Sequence, residues 1–291
     1  MTPRDILLAI AVATIWGLSF IAIRWGVDEV SPLLLTALRY TFAALPAVFF
    51  IRRPSVDWRI LVGYGLAIGV GQFGLLFIAI KLGMPVGLSS LVIQLQVFFT
   101  ILLAFAVMGE RPNVWQIAAA VLAFGGIGII AIERLEGAAV LPLALTILAG
   151  VSWAAGNTLG KKAGRIDMLG LIVWSALVPP LPLLAASSVL EGPGAIPDAI
   201  ANISWRGVGA IAFMSYAATI FGFSAWASLL SRYSAATVTP FALLIPIVGI
   251  VSGGLLLGEH ITGFEIAGGA LVFVGLLINV FGPRLFGRKP G

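Results

Sequence analysis

GERPNVWQIAAAVLAFGGIGII, beginning at Gly109, lines up without gaps on GEHITGFEIAGGALVFVGLLIN, beginning at Gly258. The offset is 149 residues (109 to 258), and over positions 109–132 and 258–281 eight of twenty-four residues are identical: Gly109, Glu110, Ile117, Ala118, Leu122, Phe124, Gly126 and Ile129. A chain that repeats itself at a fixed offset is built from two copies of one unit, and that decides how everything else is read. In each copy a short polar Gly-Glu hinge separates two long apolar runs, the pattern of a loop between membrane helices.

Composition supports the same class. Hydrophobic residues make up 60% of the chain and charged residues 10%, where a soluble domain carries roughly 45–50% and about 25%. Mean hydropathy is +1.11. Ten apolar runs can be counted, at about 5–25, 32–51, 59–81, 85–107, 113–132, 141–161, 168–189, 206–230, 236–256 and 263–282, each near the ~20 residues needed to cross the hydrocarbon core. The expected fold is all-α integral membrane, with ten transmembrane helices as two inverted five-helix repeats around a central cavity. The repeats are residues 1–137 and 138–291, within one membrane domain. Five helices per copy is an odd number, so the second copy must enter the membrane upside down. Inverted repeats of this kind place a binding site near the bilayer midplane at their interface.

The pI near 10.0 raises the question of nucleic acid, but the basic residues sort by side of the membrane. With a cytoplasmic N-terminus, twelve fall inside (Arg4, Arg52, Arg53, Arg59, Arg111, Lys161, Lys162, Arg165, Arg232, Arg284, Arg288, Lys289) and four outside (Arg24, Lys81, Arg134, Arg206). This is the positive-inside pattern, and it puts both termini in the cytoplasm. The first run continues through Trp16 and Phe20 without a small-residue cleavage site, so it reads as a membrane helix rather than a signal peptide. There is no cysteine, which excludes disulfides and thiolate metal sites.

Polar groups within apolar runs are the informative ones, since lipid offers them no partner. Arg39 is the full charge well inside a run. It is a candidate to hold a substrate carboxylate, against the alternative of bonding helix-end carbonyls or snorkelling to the interface. Gln72, Gln94, Gln96 and Asn157 are cavity candidates because amides both donate and accept, and Ser19, Ser175 and Thr239 join them. Ordinary interhelical hydrogen bonds are the competing role. Trp16, Tyr40, Phe77, Trp153, Trp174, Tyr216 and Trp226 would form an aromatic wall for a bulky side chain, or else interfacial belts. Pro85, Pro240 and Pro246 fall in the fourth and ninth runs and are expected to bend them as gates.

All acidic residues sit in loops or near run ends, so a carboxylate proton relay is not expected and the cargo reads as neutral or zwitterionic. His260 lies in a predicted outer loop beside Glu259, and no metal or cofactor site is expected. Gly69-x-Gly71-x-x-Gly74 matches a dinucleotide fingerprint but lies mid-helix with no preceding strand. Gly156-x-x-x-Gly160-Lys161-Lys162 is one residue short of a phosphate loop. Neither supports nucleotide or ATP binding.

Trp16-Gly17 with Ser19-Phe20, Arg39, and the paired hinges Gly109-Glu110 and Gly258-Glu259 with their glycine-rich following runs resemble the EamA-type drug/metabolite transporters, over the whole chain. Within that family the sequence is similar to the YddG-type aromatic amino-acid exporters of bacterial inner membranes. The resemblance implies outward movement of amino acids or related metabolites by alternating access, with the first four runs of each repeat around the cavity and the fifth peripheral. Aromatic or large neutral amino acids are the expected cargo. Another small neutral metabolite (nucleobase, sugar-like or drug-like) is the alternative, and a membrane enzyme a remote one. The expected partners are that small molecule and the lipid bilayer; protein partners are left open, and a monomer is compatible with the architecture.

Overall fold

A computed structural model describes residues 1–135, 140–164 and 166–286. Arg165, Glu136, Arg288, Lys289 and the expected repeat boundary at 137/138 lie outside them, as do the side chains of Arg134 and Arg284. The described residues are helical with no strand. In chain order they form α1 Pro3–Glu29, α2 Pro32–Ala47, α3 Trp58–Lys81, α4 Val86–Met108, α5 Val114–Leu135, α6 Val140–Lys162, α7 Met168–Ser175, α8 Pro180–Leu190, the short α9 Ala195–Asn202, α10 Trp205–Arg232, α11 Thr239–Leu257 and α12 Gly263–Phe286. Nine stretches among the described residues are long and apolar enough to cross a membrane. The second apolar run is the exception to the expected ten: α2 has 16 residues, about 24 Å at 1.5 Å per residue, short of the ~30 Å hydrocarbon core.

Several of these helices are not uniform. Within α3, Leu66–Gly74 is a π-helix, and within α10 so is Phe213–Phe221. In α4, Ile93–Leu95 tightens to a 3₁₀ turn, and α11 opens with another at Thr239–Leu243. Wide and tight turns inside membrane helices are tolerated where neighbouring groups satisfy the displaced carbonyls. That condition is met in both π stretches. Ser152 Oγ donates to the Ala67 carbonyl at 2.8 Å, and Trp16 Nε1 donates to the Ala218 carbonyl at 2.8 Å.

The repeated Gly-Glu dipeptides end helices. Gly109 (φ +72°) closes α4 and Gly258 (φ +66°) closes α11, both left-handed, a backbone state that favours glycine. The Glu110 and Glu259 N–H groups then reach back to the carbonyls of Ala104 and Gly253. Glu259 goes further. Its carboxylate accepts the N–H groups of Val86 (2.5 Å) and Gly87 (2.9 Å) at the start of α4, where free amides and the helix dipole favour an anion. Glu110 follows the other end of that helix, 23 residues away, so the two hinges lie at opposite ends of α4, roughly 34 Å apart.

Two further carboxylates cap helix starts at the Glu259 end. Glu191 accepts the Leu33 N–H (2.8 Å) and the hydroxyls of Ser31 and Ser187 (2.6 Å each) at the start of α2. Glu29 accepts the N–H (2.9 Å) and hydroxyl (2.8 Å) of Ser204 before α10. At the opposite end Lys161 pairs with Glu110 and Arg232 with Asp5, and Asp57 and Asp167 cap the starts of α3 and α7. Pro85, expected to bend the fourth run, stands immediately before α4 as its N-cap. There its missing N–H costs nothing, so it opens the helix rather than bending it.

Packing relies on small residues, because helices in lipid gain little from burying apolar surface and must approach closely. α5 and α12 lie against each other through Gly126 and Gly268, where a Cβ on either would come within 2.4 Å of the other's carbonyl oxygen. One core gathers Phe20, Ile23, Leu35, Phe77, Met214 and Ile245 from α1, α2, α3, α10 and α11; another joins α4, α5 and α12 through Phe98, Ile130 and Leu276. On α3, a Cβ at Gly69 would stand 2.0 Å from Cγ of Pro179, a rigid ring at the α7–α8 break.

Substitutions at three positions test this frame. Gly69→Ala is expected to destabilise by about 1–3 kcal/mol through overpacking, whereas Gly125→Ala, with nothing within 4 Å of the added methyl, leaves the melting temperature in detergent unchanged or slightly raised. Glu259→Gln removes the charge from the α4 cap and is expected to cost about 1–2 kcal/mol. In the same variant, a cysteine placed at Val86 should label faster with a water-soluble maleimide.

Candidate functional site

Arg39 is the centre of the candidate site. It lies in the second turn of α2, is 3% exposed, and is held on three sides. Its Nη2 donates to Thr219 Oγ1 at 3.2 Å, and its guanidinium carbon stands 3.8 Å from the ring centre of Phe73. Tyr40 and Phe77 lie further round it, at 5.8 and 6.0 Å. The Arg39 carbonyl accepts from Ser215 Oγ at 3.0 Å. Both π-helical stretches therefore meet here, α3 presenting Phe73 and α10 presenting Thr219 and Ser215.

The energetics are close to balance without being satisfied. An arginine at the centre of a membrane helix costs about 2.5–3.5 kcal/mol on insertion scales. A desolvated cation–π contact returns about 2 kcal/mol, and a hydrogen bond to a charged group about 1.5–3 kcal/mol. Yet a guanidinium carries five N–H groups, and here Nε and Nη1 are buried with no partner. Among the described residues every ion pair lies at a helix end, so no carboxylate neutralises Arg39. The Oε1 atom of Gln72 and the hydroxyl of Ser89 are likewise buried without partners. The arrangement can accept an anionic, planar, hydrogen-bonding group.

Beside it is a small cavity of about 20 Å³, lined by Tyr40, Tyr64, Ser175, Thr219 and Phe223 among others. That volume fits about one water, so a larger molecule enters only if the helices part.

The other expected site residues divide. Trp16 joins the cluster: its bond to Ala218 sits one residue from Thr219, and its ring packs at 5.2 Å on both Phe223 and Trp226. Tyr40 and Phe77 both pack edge-on against Phe73, at 6.1 and 6.0 Å. Ser175 lines the cavity, though its hydroxyl turns back to the Ile172 carbonyl. Trp153 packs between the core of α1–α3 and Ile68. Gln94 is buried within the 3₁₀ turn of α4. Gln96 and Asn157 bond each other: Asn157 Nδ2 donates to Gln96 Oε1 at 2.8 Å and to Thr100 Oγ1 at 3.2 Å, clasping α4 to α6.

Other residues are placed elsewhere. The Ser19 hydroxyl bonds the Trp16 carbonyl at 2.6 Å within its own helix. Trp174 Nε1 donates to the Ile51 carbonyl at 2.9 Å, fastening α7 to the chain beyond α2. Tyr216 is 45% exposed, and Thr239 is exposed at the start of α11. Pro240 lies in the 3₁₀ turn of α11, and Pro246 in the first α-helical turn after it. Tyr64 and Phe223 were not expected at the site; a π-helical register shifts which residues share a face, and the sequence carries no mark of it.

Comparison with known proteins places the chain in a family. A probable amino-acid metabolite efflux pump of Salmonella typhimurium is 43% identical, with 98% of this chain and 97% of the relative covered. A protein of the same description from Escherichia coli is 41% identical with the same coverage. A probable terminal-alkyne amino-acid exporter of Streptantibioticus cattleyicolor is 28% identical over 97% of this chain and 94% of its own. One crystal structure superposes over 100% of both chains at a TM-score of 0.65 and 18% identity, a likeness of fold alone. The model of the EamA-like transporter family matches residues 4–132 and 140–281. The chain is a multi-pass membrane transporter that belongs to the EamA-like transporter family.

Proposed function

We propose that this transporter exports amino acids, with aromatic or large neutral side chains favoured, across the bacterial inner membrane by alternating access. The observation that carries this reading is Arg39: a buried cation with two unpartnered nitrogens, stacked on Phe73 and flanked by Tyr40 and Phe77. A carboxylate takes the guanidinium edge in a charge-assisted, bidentate contact. Gln72 and Gln94 supply hydrogen bonds, Gln96 and Asn157 add theirs once the bond between them opens, and Trp16, Trp153 and Trp226 pack the side chain. The names of the relatives, two amino-acid metabolite efflux pumps and an amino-acid exporter, support the cargo class.

The proposed architecture is ten spanning segments in two inverted halves, 1–137 and 138–291, with both termini cytoplasmic. α2 and the turn after it form the tenth span. Three observations support it: the hinges at opposite ends of α4, the π-helical stretches in α3 and α10, and the 3₁₀ turns in α4 and α11. The halves rock about Arg39, with α4 and α11 as gates bending at their 3₁₀ turns. One chain carries the complete site, and a monomer is sufficient.

Counterflow of labelled phenylalanine into proteoliposomes loaded with unlabelled phenylalanine tests the activity. Uptake above empty vesicles is expected, and Arg39→Gln should lower it at least about tenfold, the loss of one charge-assisted contact; no flux from the unmodified protein rejects this cargo. Single cysteines replacing Glu110 and Glu259 should label from opposite faces of the membrane, and labelling from one face rejects the inverted halves.

A further inference from the structure

Building on the proposed export of amino acids, we infer that the group this transporter recognises is the carboxylate alone, so that aromatic 2-hydroxy and 2-oxo monocarboxylates are cargo alongside the amino acids. The inference follows from the charge balance around Arg39. The site holds one buried guanidinium, and among the described residues no carboxylate pairs with it. A zwitterion adds no net charge, so the occupied site keeps a charge of +1 in a low-dielectric interior. A monocarboxylate anion leaves it neutral, and neutral is the better-tolerated state where solvation is poor.

The α-ammonium of an amino acid finds no dedicated partner. Neutral oxygens can take its hydrogen bonds, but its charge is offset only by a carboxylate, which is absent among the described residues there, or by the face of an aromatic ring. The nearest ring face, Phe73, is occupied by the guanidinium at 3.8 Å, and Tyr40 and Phe77 lie within its field. A second cation at those rings meets like-charge repulsion from Arg39. The Thr219 hydroxyl, which donates to the Met214 carbonyl and accepts from Arg39 Nη2, keeps one lone pair as a neutral acceptor beside the guanidinium, and Gln72 Oε1, on the same π-helical stretch as Phe73, is a second buried neutral acceptor. They suit a 2-hydroxyl as well as an ammonium.

Competition against labelled phenylalanine counterflow in proteoliposomes of the unmodified protein tests this with three compounds of one shape. Phenyllactate carries the carboxylate without the ammonium, phenylalaninamide carries the ammonium without the carboxylate, and phenylpyruvate replaces the ammonium-bearing carbon with a carbonyl. The expected result is that phenyllactate and phenylpyruvate compete at concentrations equal to or below that of unlabelled phenylalanine, with phenylalaninamide at least about tenfold weaker. Competition by phenylalaninamide with none from phenyllactate overturns the inference while leaving amino-acid export standing. If phenylalanine itself gives no counterflow, labelled phenyllactate is used directly: flux then upholds carboxylate recognition without the amino-acid reading, and no flux ends both. Arg39→Lys, which keeps the charge and loses the planar fork, should weaken phenyllactate more than about tenfold, whereas an unchanged response would place the carboxylate elsewhere.

Discussion

A guanidinium with no counter-ion among the described residues, set in an apolar bundle, constrains everything packed around it. Arg39 is tolerated because an aromatic face, a threonine hydroxyl and its own position on α2 offset most of its transfer cost, and because the two helices that supply those groups are locally unwound to do so. The π-helical turn of α10 sets Thr219 beneath Arg39 while its hydroxyl bonds the Met214 carbonyl, and Trp16 holds the carbonyl next in the chain. The same side chains thus stabilise the irregular backbone and enclose the cation.

The two ends of the bundle are fastened differently. At one, Glu29, Glu191 and Glu259 each cap the start of a helix contributed by a different part of the chain, and the bonds of Glu191 and Glu259 are short, charge-assisted and partly buried. At the other, Lys161 and Glu110 pair at about half exposure, where such a pair contributes little against solvent. The same end also holds the buried Asp5, which accepts from Thr2 and Tyr233 and pairs with Arg232. With a cavity of only about 20 Å³ beside Arg39, the bundle is closed at the level of this cluster.

Much of this was legible in the sequence because lipid imposes simple rules. Each apolar run became helix within a few residues, and the Gly-Glu hinges mark left-handed helix ends because only glycine enters that state freely. Arg39, Tyr40, Phe77 and Trp16 were found as intramembrane outliers. What stayed hidden was set by tertiary contact. The π stretches depend on Ser152, Trp16 and the fit of Gly69 against Pro179, partners far away in sequence. Proline signalled the wrong place at Pro85, since the residue that opens a helix and the residue that bends one look alike in a string of apolar letters. Gln96 and Asn157 proved to be partners across α4 and α6, and Trp174 an anchor for α7, because the sequence does not say which polar groups will find each other.

The most direct test is a structure of the protein with phenylalanine or phenyllactate bound. The account predicts carboxylate oxygens within about 3 Å of Arg39 Nε and Nη1, the usual reach of a charge-assisted hydrogen bond, with the aromatic ring towards Phe73 or Trp16. A bound carboxylate resting on Arg24, Lys81 or Lys161 at the helix ends, with the Arg39 nitrogens still unpartnered, would contradict it.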